Sequence, residues 1–211
     1  MSERLRCGTC LRPRSSCICR WITPVAHEVE VLILQHPLEL AQAKGSARLL
    51  HLSLMRSRML TGEVFAADDL PAVPLGSESA AAHAPRHNLL LYPDTPPGST
   101  PLLPAPPALA PELLQPARLR LVVLDGTWRK SRKMLYLNPW LQHLPRLALQ
   151  DMPGSNYLIR RAHKPDQLST LEATCAALAQ LEGDAERFRP LLDAFDGFVA
   201  QQMSYAGPSS K

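Results

Sequence analysis

The chain has 211 residues, enough for one substantial core with at most a small appendage. A hydrophobic content of 45% is that of a globular protein. No run of roughly 18 apolar residues is present, which excludes a helical membrane span. The net charge of +4 is a mild basic bias that admits a nucleic-acid partner without requiring one. The first residues carry no apolar stretch of the kind a secretory signal needs, so a cytoplasmic protein is expected.

Residues 1–24 read as a knuckle rich in cysteine and arginine, and 25–207 as an α/β domain. Val29 to Leu34 is an apolar run that predicts a buried strand, ending at Gln35-His36-Pro37. From Pro37 to about Met55 the pattern is helical. Asn88 to Tyr92 predicts a second strand. The proline-dense stretch 94–116 predicts an extended surface excursion, with one helical turn at Pro111–Gln115. Arg118 to Leu124 is a third strand, and Thr127 to Leu137 a helix stopped by Asn138-Pro139. A short fourth strand is expected at Leu147–Leu149, and a loop running into a short strand or turn at Gly154–Arg161. Leu168 to Leu181 is an amphipathic helix that Ser169 or Thr170 caps, with Glu172 favourable in its first turn. Phe188 to Met203 is a closing helix. Strands alternating with helices predict an α/β fold with a mostly parallel sheet and flanking helices.

Four of the five cysteines, Cys7, Cys10, Cys17 and Cys19, crowd the N-terminal segment. In a reducing compartment such crowding points to metal rather than to disulfides. Four thiolates leave no open position for water, so a structural zinc ion is expected. An iron–sulfur cluster and unliganded thiols are the alternatives. Cys175 stands alone on an amphipathic helix and reads as core.

The third strand ends in Asp125-Gly126-Thr127-Trp128, and Arg129, Lys130, Arg132 and Lys133 follow. Read alone, Asp125 is first a helix cap, then a general base or a ligand acceptor. Trp128 is first a core residue and second a stacking surface. The basic helix is either a solvated face or a phosphate-binding one.

Asp125 to Trp128 with the basic run up to Met134 resembles the signature of the DTW-domain family. So do, in order, Cys7-x-x-Cys10 with Cys17-x-Cys19, His36-Pro37-x-Glu39, Leu91-Tyr92-Pro93, Tyr157-x-x-Arg160, and Leu168-Ser169-Thr170-x-Glu172-Ala173. The resemblance implies a SPOUT-related α/β fold, a class whose members are knotted. It implies a tRNA-uridine aminocarboxypropyltransferase, which moves the 3-amino-3-carboxypropyl group of S-adenosylmethionine to N3 of a uridine. Asp125 is then the base that takes the N3 proton. Leu91, Tyr92 and Pro93 offer an apolar slot for adenine, and Tyr157 flanks the donor. Arg160 and the helix start at Ser169-Thr170 offer donors to its carboxylate. Thr127, Trp128 and Glu172 complete the expected cofactor set. Arg129, Lys130, Arg132 and Lys133, with His36, are the expected RNA contacts, and tRNA binding that weakens steeply with salt follows from them. An RNA methyltransferase on the same donor and a non-catalytic zinc-containing RNA-binding module are the competing readings.

Overall fold

A computed structural model describes residues 5–42, 45–67, 86–93, 105–108, 114–149 and 168–206. Its centre is a five-stranded parallel sheet of β1 (Glu30–Gln35), β2 (Ser57–Thr61), β3 (His87–Leu91), β4 (Leu119–Asp125) and β5 (Arg146–Leu147), in the order β2-β1-β4-β3-β5. Central β1 and β4 are buried along their whole length, as strands covered on both faces must be. Their apolar runs follow from that burial.

Alternation of side chains across the strands builds two cores. Val31, Ile33, Leu121 and Val123 face α1 (Ala47–Ser53), α4 (Thr170–Glu182) and α5 (Arg189–Ala206). Leu32, Leu34, Val122 and Leu124 face α2 (Trp128–Leu137), α3 (Pro139–Gln142) and Phe65. The helix α4 starts with a full capping box between Ser169 and Glu172 and stops at Gly183, whose φ of 68° is the left-handed conformation that glycine adopts freely.

The knuckle is built into the first core. Cys10 and Ile18 are buried within it, and the Arg12 guanidinium lies 5.2 Å from the Phe198 ring centre. Trp21 packs flush on Gly197 of α5, where an added Cβ would come within 2.1 Å of the indole. The Trp21 indole N–H donates to Gln201 Oε1 on the same helix.

Several expectations need correction. The helix expected from Pro37 to Met55 is a 3-10 turn at Pro37–Glu39 and a separate α1. Between them Gly45 turns tightly on the Gln42 carbonyl, and that glycine breaks the periodic pattern. The fourth strand is Arg146–Leu147 rather than Leu147–Leu149. The edge strand β2 and the short α3 were not anticipated: β2 is half-exposed and mixed in polarity, so no apolar run marks it. Pro116 opens a 3-10 turn through Arg118. The turn expected at Pro111–Gln115 and the segment Gly154–Arg161 lie, wholly or in part, outside the described residues.

Candidate active site

The chain leaves β1 for β2 on one side and leaves β4 for β5 on the other. The carboxyl ends of β1 and β4 therefore mark the switch point where parallel sheets form ligand crevices. Gln35 and Asp125 are the last residues of these two strands and lie in register.

Asp125 is 6% exposed. Its Oδ2 accepts from Gln35 Nε2 at 2.9 Å, and its Oδ1 accepts from Thr170 Oγ1 at 2.7 Å. It does not cap α2, whose cap residue is Thr127 and which has no side-chain cap bond. Burial pushes the Asp125 carboxyl up, against the opposing pull of the Gln35 and Thr170 hydrogen bonds. Glu39 adds to the rise and Lys130 opposes it. An acid whose proton affinity is raised in this way is suited to taking up a proton.

A cavity of about 460 Å³ opens beside it, within the usual size of small-molecule sites. Leu91, Tyr92 and Pro93 line it from the end of β3, Thr127 and Trp128 from the start of α2, and Thr170 from α4. Ser131, Leu147, Leu149, Leu168 and Ala173, not anticipated as site residues, complete much of the wall. Trp128 is 52% exposed, so the expectation of a core tryptophan is wrong. It meets Tyr92 edge to face, with ring centres 6.0 Å apart, as an aromatic rim. Gly126 allows this turn, since a Cβ there would lie 3.1 Å from Lys130 Cβ and 3.6 Å from His36 Cβ.

Other expected residues are placed differently. Ser169 and Glu172 do not line the cavity but satisfy each other: the Ser169 N–H donates to Glu172 Oε2, and the Glu172 N–H to Ser169 Oγ. The Leu171 N–H goes to Ser46 Oγ. The start of α4 is thus largely closed to an anion, whereas the first turn of α2 borders the cavity without side-chain caps. His36 is 2% exposed, with Nδ1 accepting from the Leu38 N–H and Nε2 at 2.8 Å from Glu63. It is not placed to meet a phosphate. Lys130 pairs with Glu39 at 2.7 Å and Lys133 with Glu63 at 2.6 Å, while Arg129 and Arg132 are exposed on the same helix. Tyr157 and Arg160 lie outside the described residues.

The sulfurs of Cys7, Cys10, Cys17 and Cys19 lie within 4.8 Å of one another, with Cys7 to Cys19 at 3.5 Å and Cys10 to Cys17 at 3.7 Å. Sulfurs around a tetrahedral ion with bonds of about 2.3 Å sit about 3.8 Å apart. The four cysteines therefore fit a metal ion. Among themselves the clustered thiols split: backbone N–H groups of Cys10 and Thr9 pull Cys7 down to about 6, while burial and the neighbouring thiols push Cys19 up to about 12.

Gln35, beside Asp125, is a further residue that sequence reasoning missed. Its signal was present: a polar side chain at the last buried position of an apolar strand, the position Asp125 holds on β4.

The DTW domain profile matches residues 4–203. A tRNA-uridine aminocarboxypropyltransferase 2 from Drosophila melanogaster is 29% identical over 88% of this chain and 70% of its own length. The proteins of that name from Macaca fascicularis and Mus musculus are 25% and 26% identical, over 85% of this chain and 57% of theirs. The chain thus spans little more than half of the two mammalian relatives. No solved structure matches it. No helix among the described residues is long and apolar enough to cross a membrane. With a profile match over nearly its whole length, a buried Asp125 at the sheet's switch point and a four-cysteine knuckle, the chain belongs to the DTW domain family.

Proposed function

We propose that this protein is a cytoplasmic tRNA-uridine aminocarboxypropyltransferase that transfers the 3-amino-3-carboxypropyl group of S-adenosylmethionine to N3 of a uridine. The observation that carries the reading is Asp125, buried and raised in proton affinity, next to a cavity of small-molecule size that its chain neighbours Leu124 and Gly126 and its partner Thr170 line. The similarly named relatives support the activity class. Late β4 inserted between the earlier β1 and β3 is compatible with the SPOUT relationship and its knot.

The donor, when bound, supplies an activated carbon on a sulfonium and leaves as a neutral thioether. The protein's task is then to aim that carbon and prepare the nucleophile. Leu91, Tyr92 and Pro93 form the apolar wall for the adenine, and Trp128 with Tyr92 forms the rim where a base can stack. Thr127 and the open first turn of α2 offer N–H donors to the donor's carboxylate, a task Arg160 shares in this reading. Asp125 takes the N3 proton as the new bond forms. Arg129 and Arg132 hold the RNA backbone beside the site, and the two lysines join when phosphate displaces their carboxylate partners.

The test is incubation with S-adenosylmethionine and unmodified tRNA, followed by mass analysis of the nucleosides. A uridine heavier by an aminocarboxypropyl group is expected. A methyl-sized gain overturns the reading in favour of a methyltransferase, and binding without any gain favours an RNA-binding module.

Cys7, Cys10, Cys17 and Cys19 hold a structural zinc ion in this reading. Chelation is then expected to free Cys10 and Ile18 from the core. The melting midpoint should fall by about 2–4 °C for each kcal/mol lost, as measured by calorimetry with and without chelator. An unchanged midpoint would show that the knuckle folds without metal.

A further inference from the structure

Gln35 closes a strand whose preceding residues, Val31 to Leu34, are all apolar, and it is 4% exposed. Its backbone is held on both sides, in register with Thr61 of β2 and Asp125 of β4. Its amide Nε2 donates to Asp125 Oδ2 at 2.9 Å. Its amide oxygen, Oε1, is buried and has no hydrogen-bond partner among the described residues. A leucine or methionine would fill the same space without an orphaned acceptor. The fold therefore gains nothing from that oxygen in the state seen.

The oxygen acquires a use when Asp125 changes its protonation state. A carboxylate only accepts, so it takes the amide N–H. A carboxylic acid carries an O–H that needs an acceptor. Half a turn of the Gln35 amide exchanges N–H for oxygen at nearly constant shape. We propose that Gln35 is a positioning residue that partners Asp125 in both protonation states, giving an N–H to the carboxylate and its amide oxygen to the acid.

The proposal rests on Asp125 acting as the base of the transfer described above. In that step the uridine N3–H bond breaks and its electron pair forms the new N–C bond. The carbon–sulfur bond of the donor breaks with its pair left on sulfur. The proton moves to Asp125 Oδ2, where Gln35 Oε1 accepts its hydrogen bond. Thr170 holds Oδ1 at 2.7 Å. Among the described residues, the charged side chains acting on Asp125 are Glu39 of the 3-10 turn and Lys130 of α2, themselves paired at 2.7 Å. The His36 backbone N–H donates to the Asp125 carbonyl, and its ring is turned to Glu63. Among the described residues, Gln35 and Thr170 are thus the hydrogen-bond donors to the carboxylate itself.

Two measurements test this. The first is a carbon-13 titration of the Asp125 carboxyl in the free protein, which requires no transfer. Gln35→Met removes the N–H that favours the carboxylate, so the midpoint should rise by about one unit. The Gln35 side-chain nitrogen resonance of the unaltered protein should move with the Asp125 midpoint. The second is the pH profile of single-turnover transfer. Its acid limb should shift upward in Gln35→Met, with a roughly tenfold loss on the plateau. Donor affinity should stay within about twofold, since Gln35 does not line the cavity. Gln35→Glu keeps the shape and adds a competing carboxylate, so it should raise the Asp125 midpoint further. An unmoved midpoint in both variants, or a Gln35 amide blind to the Asp125 titration, overturns the proposal. Absence of transfer by the unaltered protein overturns the transferase reading instead, and leaves the titration to judge Gln35.

Discussion

Asp125→Asn is expected to slow transfer by roughly 10²- to 10⁴-fold and, at the same time, to make the folded protein more stable at neutral pH. The loss follows because an amide cannot take the N3 proton. The gain follows from linkage. Burial raises the Asp125 carboxyl in the folded state, so that state holds its proton more tightly than the unfolded chain does. Its contribution to stability is full below the unfolded value and is lost as the pH rises through the folded one. Above the unfolded value the folded protein therefore bears a cost for ionising this buried carboxyl, and asparagine removes the charge while keeping the shape. A turned Gln35 amide can accept from the new amide, just as it accepts from the protonated acid in our proposal. Melting midpoints of the two proteins should coincide in acid and separate as pH rises, with the variant higher. A variant that melts lower at every pH would show Asp125 to be a structural anchor. Retained transfer would remove it as the base.

The second large effect lies at the opposite end of the sheet. Glu30 is fully buried, and Arg120 Nε and Nη2 reach its Oε2 at 3.1 and 3.0 Å. Arg86 Nε stands 3.0 Å from the other oxygen. Strand register sets this cluster, with Glu30, Arg120 and Asn88 side by side on β1, β4 and β3. Glu30→Ala leaves two buried guanidiniums without their shared carboxylate, which costs about 3–5 kcal/mol. The midpoint of urea unfolding should fall accordingly. The double change Glu30→Leu with Arg120→Met should recover much of that loss, because the desolvation cost of the ions disappears with them. Equal loss in the single and double variants would mean that packing, not charge, explains the cluster.

Much of this architecture was legible in the residues themselves. The runs Val29–Leu34, Asn88–Tyr92 and Arg118–Leu124 became β1, β3 and β4 within a residue or two: β1 and β4 are buried throughout and need long apolar runs, and β3 carries its buried Leu89 and Leu90 in a shorter one. Ser169 or Thr170 as cap, with Glu172 in the first turn, announced the start of α4, because capping is local; that Ser169 and Glu172 close a full capping box came from the structure. Edge strand β2 stayed hidden for the converse reason: half-exposed, it carries a mixed sequence. Trp128 misled because large aromatics are usually buried. Here the sharp turn at Gly126 throws the ring outward against Tyr92.

The sequence by itself determined the alternation of strands and helices, the cluster of four thiols, and Asp125 at a strand end. These are local: each follows from the composition or spacing of a few neighbouring residues. Only the tertiary structure decided what Asp125 touches. Its partners Gln35 and Thr170 lie 90 residues before it and 45 after. They meet because β4 inserts beside β1 and α4 packs over the strand ends. The same holds for the lysines of α2, which read as open cations along the chain but fold against Glu39 and Glu63. Strand order is chosen by the burial of whole faces, a global sum that no short stretch of sequence carries.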